Sequence, residues 1–132
     1  MGYLVKMITL KNLHLATEQE VFDQVARHLL TQMETSRNDL KCLYRTKLDD
    51  GTILKCAAGC LIGDDEYNEE FDCEISSWSY LIRDSLVPTD NCSSLITKLQ
   101  GVHDYFDPEK WKSELHNVAT EFNLNTEVLN EF

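Results

Sequence analysis

Val21, Phe22, Val25, Ala26, Leu29, Leu30 and Met33 recur at helical spacing and trace an apolar arc of about 180°. Just before them, Thr17-Glu18-Gln19-Glu20 has the form of a capping box, a hydroxyl followed three residues later by a carboxylate. The pattern predicts a helix from about Thr17 to Met33, ended by Ser36-Arg37-Asn38-Asp39. The period then changes. Two β-prone runs, Lys41 to Leu48 and Thr52 to Ala57, flank Asp49-Asp50-Gly51, a strong hairpin signal. A three-residue loop would put Cys42, Tyr44 and Cys56 on one face; a two-residue loop would put Cys42, Tyr44 and Ala57 there.

Ala58-Gly59-Cys60-Leu61-Ile62 leads into a polar stretch in which Tyr67, Phe71 and Ile75, spaced by four, suggest one apolar edge. Ser76 or Ser77 then caps a short helix with Trp78, Leu81, Ile82 and Leu86 inward, stopped by Val87-Pro88. Asp90 is the expected cap of the next helix, with Cys92, Leu95, Ile96, Leu99, Val102 and Phe106 on one side. Asp107-Pro108 starts the last one, burying Trp111, Leu115, Val118, Ala119 and Phe122, with Asn123 as a left-handed stop. The expected fold is α+β and mostly helical: an N-terminal amphipathic helix, one β-hairpin, then three or four packed helices. No repeat or linker divides the chain, so residues 1–132 read as a single globular domain.

Composition changes this picture little. The chain is 42 % hydrophobic with only 2 prolines and 5 glycines, which argues against a disordered or fibrous polymer. No apolar run approaches the roughly 18 residues of a membrane helix. The first residues lack the pattern of a signal peptide, and Lys6 stands where a myristoylation motif needs a hydroxyl. A cytoplasmic protein is the expectation.

Charge changes it more. The net charge is −11, unevenly placed: residues 1–63 carry 8 basic and 7 acidic groups, residues 64–132 carry 4 and 16. Asp64, Asp65, Glu66, Glu69, Glu70, Asp72 and Glu74 put seven acids into eleven positions without a base. Such a field repels phosphate backbones and anionic membranes and attracts a basic protein or a divalent cation. The plainer alternative is a solvated face that keeps the domain soluble.

Five cysteines, an odd number, fit free thiols in a reducing compartment. Cys42, Cys56, Cys60 and Cys73 are weak candidates for a zinc site. Cys56 and Cys60 are separated by three residues rather than two, and no second close pair follows, so buried structural thiols are the favoured reading and no metal or other cofactor is expected. The acidic run is no calcium loop, since Glu69 stands where glycine is needed and Ile75 where the bidentate glutamate belongs. His103, beside Val102 and Phe106, reads as a hydrogen-bonded packing histidine. No P-loop, GxGxxG, HExxH or GxSxG motif occurs, so no catalytic residue is assigned.

Cys42-Leu43-Tyr44-Arg45, Cys56-Ala57-Ala58-Gly59-Cys60-Leu61-Ile62 and Asp64-Asp65-Glu66-Tyr67 together resemble a family of small uncharacterised proteins of bacteriophages and prophages. The stretches from Ala16 to Val25 and from Leu99 to Asp104 share the likeness. The resemblance implies a phage-type accessory protein in a bacterial host cytoplasm and carries over no functional residue. With the charge, it gives the leading expectation. This is a protein that binds a basic host protein, of defence or nucleic-acid handling, and inhibits or modulates it through residues 64–74, with nucleic-acid charge mimicry as one mode. Direct nucleic-acid and membrane binding are not expected. Two alternatives stay open: a small metal- or thiol-dependent enzyme acting on a nucleotide or signalling molecule, and a structural protein acting as a homodimer through spare apolar helix surface.

Overall fold

The computed structural model describes residues 7–73 and 76–132. It is a mostly helical α+β domain in which a long helix, α1 (Glu18–Gln32), is wrapped by a hairpin, three further helices and several single-turn 3-10 segments. The capping box forms as the sequence predicts: the Thr17 hydroxyl accepts the Glu20 N–H at 3.1 Å and the Glu20 carboxylate accepts the Thr17 N–H at 2.9 Å. Val21, Phe22, Val25, Ala26, Leu29 and Leu30 are all buried. Met33 ends the helix in the left-handed region, φ 50°, at the boundary that the apolar pattern predicts.

The hairpin takes the three-residue loop. Strands β1 (Arg45–Lys47) and β2 (Ile53–Lys55) pair with Arg45 opposite Lys55 and Lys47 opposite Ile53. Gly51 closes the loop at φ +91°, and its N–H donates to the Leu48 carbonyl at 2.9 Å. Tyr44 therefore faces Cys56 across the ladder, with the Cys56 N–H donating to the Tyr44 carbonyl. After β2, Ala58–Leu61 makes a 3-10 turn packed directly on the hairpin backbone. A Cβ on Gly59 would lie 2.1 Å from the Tyr44 carbonyl oxygen, so only glycine fits.

Helix α2 (Trp78–Arg83) is capped by Ser77, whose hydroxyl accepts the Tyr80 N–H. Helix α3 (Ser93–Tyr105) departs from expectation: its N-cap is Cys92 at φ 60°, not Asp90, whose carbonyl instead accepts the Ser93 N–H. The preceding loop is pinned from outside, because the Asn91 amide donates to the Leu13 and Ala16 carbonyls at 2.9 and 2.8 Å. Phe106, assigned to the apolar side of α3, lies at its C-terminal cap and is partly exposed. Helix α4 (Pro108–Glu121) starts at Asp107-Pro108, buries Trp111, Leu115, Val118 and Ala119, and is followed by Asn123 at φ 56°. The Trp111 indole N–H donates to the Phe106 carbonyl at 2.9 Å. One apolar cluster joins α1, α3, α4, the 3-10 turn at Ala58–Leu61 and the C-terminal turn at Glu127–Glu131. Among the described residues, no helix is long and apolar enough to cross a membrane.

Three glutamines of α1 hold non-helical backbone in the same way. The Gln24 amide oxygen accepts the Ile8 N–H at 2.7 Å while its nitrogen donates to the Ile8 and Cys60 carbonyls at 2.9 and 3.1 Å. Gln32 does this to Lys55, at 3.0 and 2.9 Å, and Gln19 to Asn125, at 2.9 and 3.1 Å. Each side-chain amide acts as a single peptide group of an absent strand. Gln24→Met keeps the volume and removes all three bonds, leaving part-buried backbone groups of Ile8 and Cys60 unpaired. The expected cost is about 1–3 kcal/mol in chemical denaturation, with faster hydrogen exchange at Ile8.

Candidate functional site

The acidic segment folds as two tight turns between the hairpin and α2. The first covers Asp64 to Glu66; the second is a 3-10 turn, Glu69–Asp72, opened by the Asn68 side chain accepting the Glu70 N–H at 2.8 Å. Its carboxylates differ sharply in what they meet. Glu66 is an internal acceptor, taking the N–H groups of Leu10, Lys11 and Gly63 at 2.9, 3.1 and 2.7 Å. Asp72 takes the N–H groups of Tyr44 and Arg45 at 2.8 and 3.3 Å and the Tyr67 hydroxyl at 2.6 Å. Asp64 lies 3.1 Å from both Arg45 and Lys55, and Asp65 lies 2.8 Å from Lys11. Those cations, Lys55 foremost for Asp64 and Lys11 for Asp65, hold both carboxyls below their ordinary values.

Glu69 and Glu70 are different: both are exposed and, among the described residues, neither meets a cation. Glu74 lies outside the described residues, as does Ile75, the third member of the expected apolar edge. Its other two members do meet, with the Tyr67 and Phe71 rings stacked at 6.0 Å and Arg45 placed over Tyr67. The sequence presents the whole run as one charged segment, read either as a partner contact or as a solvated face. The structure divides it into carboxylates that bond the fold together and carboxylates that face water.

The four candidate zinc ligands do not converge. Among the described residues, one group of three or more potential ligands lies within 4.8 Å, formed by Cys42, His103 and Asp104; it includes none of Cys56, Cys60 or Cys73. In this group the Asp104 carboxylate accepts from His103 Nδ1 at 2.7 Å and from the Gln100 amide at 2.9 Å, with the Cys42 thiol within 4.8 Å. His103 Nε2 accepts the Ser36 backbone N–H at 2.9 Å. A backbone N–H only donates, so the imidazole proton resides on Nδ1. That ring therefore turns no lone pair toward Cys42 or Asp104. A metal on Nδ1 would drive the proton onto Nε2, against the Ser36 N–H. The same bonds leave His103 unable to take a proton from a thiol. With its ring stacked on Trp111 at 5.6 Å, it is the hydrogen-bonded packing histidine that the apolar pattern suggested.

Four of the thiols are pushed away from activation. Burial pushes Cys42 up to about 11 and Cys60 up to about 12, and raises Cys56 and Cys92 as well. Cys56 Sγ accepts the Gly59 N–H, and the Cys60 thiol donates to the Ala57 carbonyl, both within the turn that Gly59 fits against Tyr44.

One feature was not visible in the sequence. A cleft of about 1140 Å³ separates the exposed flank of α1 from the outer edge of β2, lined by Asp23, Arg27, His28, Arg45, Ile53 and Lys55 among others. His28 Nε2 donates to the Lys55 carbonyl at 2.9 Å. Burial lowers the His28 pKa, opposed by that carbonyl. No residue spacing announces such a cleft, because its walls come from elements of different period.

No protein-family model matches the chain, and no match is found among curated proteins or solved structures.

Two expectations follow from this geometry. Glu66→Ala removes three hydrogen bonds to a carboxylate and should cost about 1.5–3 kcal/mol in denaturant titration, whereas the double variant Glu69→Gln/Glu70→Gln should unfold as the parent does. The second concerns pH. Unfolded His28 takes up its proton near the ordinary value of 6.5, and folded His28 only below that. Stability is therefore full above that value and falls as acid is added, until the folded imidazole also titrates. His28→Gln should show a smaller drop in melting temperature than the parent between about pH 7.5 and pH 5.5.

Proposed function

We propose that this protein is a small acidic binding module of phage type that engages a basic surface of a bacterial host protein, of defence or nucleic-acid handling, and modulates it by occupying that surface. The observation that carries the reading is uncompensated charge. In the second half of the chain, Glu69, Glu70, Asp84, Asp90, Asp107, Glu109 and Glu127 are exposed and take part in no ion pair among the described residues. Exposed like charges repel one another and lower stability, a cost that a partner of opposite sign relieves. Nucleic acid is repelled by the same field. The thiol-enzyme alternative lacks support, since the buried thiols are held protonated and His103 is tied off at both nitrogens.

The contact is narrower than the whole acidic run. Asp64, Asp65, Glu66 and Asp72 are engaged within the fold, so among the described residues of the run Glu69 and Glu70 are its working charges. The test is capture of partners from bacterial lysate on immobilised protein, with salt titration of each captured protein. The expected result is a basic partner whose affinity falls steeply with salt, and a weaker, flatter response with Glu69→Gln/Glu70→Gln. A partner held equally by that variant at low and high salt overturns the charge-based reading.

A further inference from the structure

The cleft beside α1 has one wall that is a strand edge. In the hairpin, the Leu48 N–H donates to Thr52 and the Cys56 N–H donates to Tyr44. The ladder alternates, so residues 53 and 55 turn their N–H and C=O groups away from β1, toward the cleft. Lys55 is closed off there by Gln32 and His28. Ile53 is not: among the described residues its N–H and C=O have no partner, and it lines the cleft half-buried. A half-buried, unpaired backbone pair on a strand edge is a template for a further strand.

The opposite wall supplies the sign and the length. Asp23 and Glu34 line the cleft without an ion pair among the described residues, while Glu20, also in the lining, is committed to the capping box on Thr17. The cations there are engaged, Arg27 with Glu131 and both Arg45 and Lys55 with the single carboxylate Asp64. The helical wall from Glu20 to Gln32 runs about 18 Å along its axis. That length matches about five or six residues of extended chain and exceeds the reach of a compact metabolite.

We infer that the cleft between α1 and β2 binds an extended peptide segment of a partner protein, paired through its backbone to Ile53, with lysine or arginine side chains directed at Asp23 and Glu34. This rests on the reading of the protein as an acidic binding module and names the part of the partner it takes.

The test uses the full chain and a capped six-residue peptide of alternating lysine and valine, with the glutamate–valine counterpart as control, followed by amide NMR and hydrogen exchange. The lysine peptide is expected to shift the α1 and β2 resonances and to slow exchange of the Ile53 amide by about tenfold or more, while the glutamate peptide does neither. Ile53→Pro removes the donor at a position that faces away from β1 and should weaken binding about tenfold. Asp23→Asn/Glu34→Gln, which leaves the backbone untouched, should weaken it about threefold or more and flatten its salt dependence. Slow exchange of the Ile53 amide in the free protein overturns the inference, because the edge is then already occupied by this chain or a second copy. Lysine-peptide binding that moves Glu69 and Glu70 but not the cleft also overturns it, while leaving the acidic-module reading standing.

Discussion

Side-chain amides on α1 do for this fold what a sheet does for others. Helix α1 cannot hydrogen-bond sideways through its own backbone, yet three of its neighbours are irregular or short segments whose backbone groups need partners. Gln19, Gln24 and Gln32 each meet one of these with a donor and an acceptor at once. The hairpin gains most. Two strands of three residues are marginal alone, and Gln32 supplies at Lys55 the pairing that a third strand would give. Because the amides are carried on one rigid helix, the segments around residues 8, 55 and 125 are fixed relative to each other.

Asp72 and Glu66 extend the same logic from the opposite side. Asp72 grips the start of β1 while Glu66 grips the backbone at Leu10 and Lys11, so the acidic turns tie the hairpin to the segment that precedes α1. Charge density in a sequence is therefore a poor measure of the field outside the protein. A carboxylate saturated by backbone donors projects less charge than one standing in water, and this segment contains both kinds. The uncompensated acids sit where the fold has no use for them.

The features legible in the sequence are those with local causes. The capping box at Thr17, the apolar arc of α1, the Asp107-Pro108 start and the Asn123 stop all act within a few residues. The mostly helical α+β class follows from them. The hairpin register stayed open because both loop lengths satisfied the alternation, and the turn at Gly51 decided it. Cys92 replaced Asp90 as the cap because Asn91 is held by carbonyls some 75 residues away, an influence no local pattern carries. The candidate site suffered most from this limit. Whether an acid faces Lys11, a backbone amide or water depends on which segments meet, and so does the cleft between α1 and β2.

Gln19 and Arg27 on α1 bond to Asn125 and Glu131, so the helix is completed by a segment about a hundred residues further along the chain. Helix α1 needs only its own capping box to form. The apolar side that carries Phe22 and Leu29 waits for Trp111, Leu115 and the turn at Val128 and Leu129, some 80 to 100 residues later. At the usual rates of protein synthesis that is on the order of ten seconds with an uncovered apolar helix face. During that interval the nascent chain offers its surroundings an amphipathic helix quite unlike the surface of the folded protein.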